Sequence, residues 1–121
     1  MVKQLSAIPD KNDFAGVMAL VGDPEAANYA NAICELLHEA GFPNSDSVGI
    51  EVFPDPNPRG IWFALFPEDA PRPPLVAVMV TKIFSQHKLS FGVRYDYMPQ
   101  RKGQFSIFVG KPEMKDASTT H

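Results

Sequence analysis

The chain has 121 residues, a formal net charge of -3, and a composition of 45% hydrophobic and 21% charged side chains that includes nine Phe. That length fits one ordinary domain and excludes a large enzyme with separate binding and catalytic lobes, and the apolar content excludes disorder throughout. The small negative net charge removes the bulk electrostatic case for wrapping DNA, yet it hides a division: residues 1–71 carry 3 basic and 11 acidic side chains, residues 72–121 carry 8 and 3.

Residues 1–13, with Pro9, Asp10, Lys11, Asn12 and Asp13, read as a flexible lead-in, and a single compact domain is expected over 14–112. FAGVMALV (14–21) has the short apolar character of a strand, after which GDPEAANYANAICELLHEAG (22–41) switches to a helical period. Asp23 suits the N-cap, where it accepts an orphan backbone N–H; Pro24 suits the first helical position, which needs no donor; Glu25 suits the positive helix end. Gly41 supplies the stop. Ala26, Tyr29 or Ala30, Ile33, Leu37 and Ala40 form the inward stripe, with Asn31, Glu35 and Glu39 outward.

VGIEVF (48–53) reads as a second strand, PDPNPRG as a rigid connection, and IWFALF (61–66) as a third strand. Eight of the twelve prolines fall between Pro43 and Pro74, which restricts helix formation there. LVAVMV fits either a buried strand or a helix. The length from Pro73 to His87 and the stripe of Leu75 or Val76, Met79 or Val80, Ile83 and Phe84 favour the helix, entered at Asp69 or at Pro73 and Pro74. LSFGVRYDYM alternates strictly, with Phe91, Val93, Tyr95 and Tyr97 on one face and Gly92, Arg94 and Asp96 on the other. QFSIFVG repeats the pattern, so that the last two strands can form a hairpin across Pro99–Gly103, with Arg101 and Lys102 at an exposed tip; residues 113–121 read as a flexible tail.

The order is therefore β-α-β-β-α-β-β. It describes an α/β or α+β domain with a single mixed sheet of about five strands and two helices, built from two similar units, and a ferredoxin-like βαββαβ arrangement is the runner-up.

A lone cysteine, Cys34, excludes an internal disulfide and cysteine-rich metal sites and suits a reducing, cytoplasmic setting. No run approaches the roughly 20 apolar residues of a membrane span, and the opening MVKQLSAIPDKNDF lacks the apolar run of a secretory signal, so no membrane insertion is expected of this chain. There is neither GxGxxG nor GxxxxGK[ST] nor HExxH, and no cofactor or metal is expected. The loop around Gly22, Asp23 and Glu25 stands where backbone N–H groups can bind anions, although capping by Asp23 is the ordinary use of that sequence. Cys34 and His38, four apart on one helix, form the most reactive-looking pair. Spacing alone supplies neither a thiolate nor an oxyanion site, and a buried cysteine beside a partly exposed histidine is the commoner arrangement. Asp55, Glu68 and Asp69 would serve acid-base chemistry only if folding made them converge.

The remaining candidates concern surfaces. Arg94, Arg101 and Lys102, near Tyr95 and Tyr97, have the residue types of a nucleic-acid surface, but in a regular strand Arg94 points away from the tyrosines, and nucleic acid is not the expected partner. Trp62 and Phe66 on one strand, with Phe108 on another, are core candidates that would mark an interface if exposed.

The GDPEAxxYAxxI...LLxxAG helix, the second helix and the QFSIFVGKP segment together resemble a loose group of small, mostly uncharacterised bacterial α/β domains, over Phe14 to Pro112. The resemblance implies an α/β architecture. That group supplies no catalytic pattern to map onto these residues, and its members can occur beside membrane-spanning segments. The expected role is a noncatalytic protein-interaction or structural module able to self-associate, with Trp62, Phe66, Arg94, Arg101, Lys102 and Phe108 as its interface. The alternative is a small-ligand or anion-binding domain using Gly22, Asp23 and Glu25; a small enzyme comes third.

Overall fold

The computed structural model describes residues 1–51, 59–95 and 103–111. Their regular elements are α1 (Val2–Ser6), β1 (Phe14–Leu20), α2 (Pro24–Glu39), β2 (Gly49–Glu51), β3 (Ile61–Leu65), α3 (Leu75–Gln86), β4 (Phe91–Arg94) and β5 (Phe105–Val109). The five strands form one mixed sheet in the order β2-β1-β5-β3-β4. β1-α2-β2 and β3-α3-β4 are each a parallel strand-helix-strand unit, and the two units run in opposite directions. β5 lies between them, parallel to β1 and antiparallel to β3.

The α/β class, the mixed sheet and the element order follow the sequence reading, and the strand order separates this fold from the ferredoxin-like alternative. The hairpin is corrected: β4 pairs with β3, not with β5. The reason lies in burial. All five residues of β5 are buried, which suits a strand flanked on both edges and covered on both faces, whereas β4 keeps half-exposed positions and sits at the edge. Residues 2–6, read as lead-in, form α1, and its Leu5, together with Ile8, joins the core.

α2 starts and stops by local chemistry, and α3 stops in the same way. In α2, the Asp23 carboxylate accepts from Ala26 N–H at 3.0 Å with Pro24 in the first turn. At its end Gly41 adopts φ 88°, while Gly41 N–H donates to His38 O and Phe42 N–H to Leu37 O, the paired bonds that close a helix around a left-handed residue. α3 ends with the same pair, Lys88 N–H to Ser85 O and Leu89 N–H to Phe84 O, but the left-handed residue is Lys88 at φ 61°. Burial of Val76, Ala77, Val80, Ile83 and Phe84 confirms that LVAVMV is helical.

Register divides the sheet into two faces. On one, Val17, Ile107, Phe63 and Val93 lie side by side, and the Phe63 ring meets Phe84 of α3 edge-on at 5.5 Å. α1 touches both α2 and α3, and the three helices cover this face. On the other face a single row crosses all five strands: Gly49, Met18, Phe108, Trp62 and Gly92. The large side chains of this row lean over the edge glycines. A Cβ on Gly49 would come within 3.3 Å of Met18 Cγ, and one on Gly92 within 2.4 Å of the Trp62 ring. Among the described residues no helix is long and apolar enough to cross a membrane.

Candidate functional site

The reactive-looking pair resolves into a structural junction. Cys34 is buried, and its thiol donates to Ser45 O at 3.1 Å. Burial pushes the thiol pKa up, and the negative charges of Asp46 and Glu35 push it further, which is the reverse of what an attacking cysteine needs. Ser45, His38 and Asp46 then bring together the residue types of a hydrolytic triad. Yet Ser45 Oγ and Asp46 Oδ1 both approach the same ring nitrogen, His38 Nδ1, each at 3.4 Å. A relay needs the carboxylate on one nitrogen and the hydroxyl on the other. Ser45 Oγ moreover donates to Phe42 O at 2.6 Å and is buried. These bonds fasten the end of α2 to the following loop, while Asn44, at φ 56°, donates from Nδ2 to Phe14 O at 2.9 Å and ties the loop to β1. The polar run after Gly41, Asn44 to Ser47, is the sequence signal for this junction.

Among the acidic candidates, Glu68 is exposed, while Asp69 is buried and accepts from Gly103 N–H at 2.7 Å, a bond that anchors the entry to β5. Asp55 lies outside the described residues. Among the described residues no three His, Cys, Asp or Glu side chains gather in a way that could hold a metal ion.

The interface candidates separate. Phe108 is fully buried in the row between Met18 and Trp62, so it is core and offers nothing to a partner. Trp62 is half-buried, with its indole N–H donated to Arg59 O at 2.7 Å and the Arg94 guanidinium 5.7 Å above its ring. Phe66 lies past the end of β3 and is half-buried. Arg101 and Lys102 lie outside the described residues.

The strand-to-helix loop serves the helix. Gly22 turns the chain at φ 79°, and the Asp23 carboxylate occupies the donor that an anion would use. Glu25 instead lines a cleft of about 430 Å³ to which Gly22 and Asp23 contribute nothing. Ile61 and Val109, register partners on β3 and β5, are buried and form its floor with Gly60 and Gly110. The two glycines are tied into the extended ladder, Gly110 N–H to Gly60 O at 2.9 Å and Gly60 N–H to Lys111 O at 2.8 Å. One wall is Tyr29 of α2; the other is Lys88, Leu89 and Ser90 leaving α3, with Lys111 at the end of β5. Partial burial pushes the Tyr29 phenol pKa up, so at neutral pH its hydroxyl can donate a hydrogen bond.

Lys88 is the unusual member. A left-handed conformation costs a non-glycine residue about 1 kcal/mol, and the corresponding position after α2 is Gly41. The two residues before it are tied to α1: the Gln4 amide donates to Gln86 Oε1 at 2.8 Å and accepts from His87 Nε2 at 2.6 Å. Sequence reasoning passed over Tyr29, Lys88, Ser90 and Lys111 as site residues because they come from three distant stretches, and only the strand order brings those stretches together. No family model, curated protein or solved structure matches the chain.

Proposed function

We propose that this chain is a noncatalytic binding module and that the cleft between the start of α2 and the exit from α3 takes a small molecule. The observation that carries the reading is Lys88, a lysine kept in a left-handed conformation on the rim of an apolar-floored cleft where the matching turn of α2 uses glycine. The volume is within the range of small-molecule sites, and a floor of Ile61 and Val109 with a few polar groups around it has their usual make-up. Amide shift mapping of the intact chain against a mixture of small organic compounds tests it. Hits should move Ala26, Tyr29, Gly60, Leu89 and Gly110 together; hits confined to the Trp62 and Gly92 face, or none at all, would refute it.

The protein-interaction reading keeps one specific support, the half-buried Trp62 with Arg94 over its ring. On that reading the chain meets a protein partner or a second copy in the cytoplasm. Trp62→Ala would then lower the mass measured by sedimentation while leaving the fold intact; loss of folding, or an unchanged mass, would leave Trp62 as a packing residue over Gly92.

A further inference from the structure

Resting on the cleft being a binding site, we propose that its ligand is a small organic anion: a phosphate or carboxylate group carried on a flat apolar body. The charge comes first. Among the described residues, Lys88 and Lys111 line the opening with one carboxylate, Glu25, and neither lysine forms an ion pair. Folding thus gathers two cations from the basic half of the sequence onto one opening, an arrangement that a neutral ligand leaves uncompensated and an anionic one satisfies. Two further donors suit an anion: the Tyr29 and Ser90 hydroxyls belong to the same lining, and the Tyr29 phenol holds its proton.

The body of the ligand is set by the surfaces beneath. Tyr29, 42% exposed, lines the cleft together with Leu89 and the buried Ile61 and Val109. At Gly60 and Gly110 no side chain rises from the floor, so a flat group can lie close to the backbone. An inorganic anion would meet the two ammonium groups and leave this apolar surface wet. A ligand with both parts covers it.

The test is an amide-shift titration of the full 121-residue chain with four probes: phenyl phosphate, benzoate, benzyl alcohol and inorganic phosphate. Phenyl phosphate or benzoate should move the cleft amides and bind more tightly than benzyl alcohol and inorganic phosphate; whichever is the tighter identifies the anionic group. Lys88→Gln and Lys111→Gln should each weaken that probe by about two- to fivefold, the range for a solvent-exposed ion pair, with unchanged urea midpoints. If benzyl alcohol fills the cleft as well as the anions do, or the two variants bind as wild type does, the anionic class is wrong while the cleft stands as a binding site. If inorganic phosphate matches phenyl phosphate, the apolar body is wrong. If no probe moves the cleft amides, the anion proposal and the binding reading fall together.

Discussion

Gly92 has no side chain because the Trp62 ring occupies that space, with ring carbons 2.4 to 2.8 Å from where a Cβ would sit. Gly92→Ala should therefore destabilise the domain by about 1–3 kcal/mol, the usual range for overpacking, measured by urea unfolding. Pairing it with Trp62→Leu should recover part of the loss; a cycle with no coupling would mean that the ring moves aside freely. Cys34 gives a prediction in pH. Its folded pKa is raised, so above about 8.5 the unfolded chain releases a proton that the folded chain keeps. The contribution of the thiol to stability is complete below that pH and is lost as pH climbs through the folded value. Cys34→Ala should flatten this alkaline slope in urea midpoints taken at neutral and alkaline pH, and an unchanged slope would assign it to other groups. At this scale, what depends on chain neighbours was legible: Asp23 as cap, Pro24 in the first turn, Gly41 as stop. Gly92 under Trp62, and Ser45 against Cys34, were not legible, because each depends on which residues folding sets face to face.

Among the elements, α1 departs most from the sequence reading. Five residues are too few to display a helical period, and its place is fixed by long-range contacts: Leu5 fully buried, and Gln4 bonded to Gln86 and His87. Leu5→Ala should cost about 2–4 kcal/mol by urea denaturation, as for other buried leucines, whereas a lead-in would tolerate it within about 0.5 kcal/mol. α3 shows the opposite case. Its β-branched residues favoured a strand locally, but length and the Val76, Val80, Ile83 and Phe84 stripe resolved the ambiguity. Strand existence was readable for all five strands and strand order was not: adjacency in sequence favours pairing β5 with β4, yet a strand buried at every position belongs in the middle.

For the whole molecule, the division of charge along the chain becomes a question of where its halves meet. They meet at the cleft, where Glu25 and Tyr29 from the acidic half face Lys88, Ser90 and Lys111 from the basic half. Sequence position put Glu25 in the loop before α2 and gave no sign of its companions, because parallel pairing of β1 with β5, and insertion of β5 beside β3, are what assemble them. The same assembly sets Lys88, in a conformation that glycine would adopt without cost, on the rim of that opening. Lys88→Gly is thus the most direct test, with urea stability and phenyl phosphate affinity read on the same sample. Stability should rise by about 1 kcal/mol while affinity falls by about two- to fivefold. A gain in stability with affinity unchanged would contradict the binding role, leaving Lys88 as no more than the last turn of a helix.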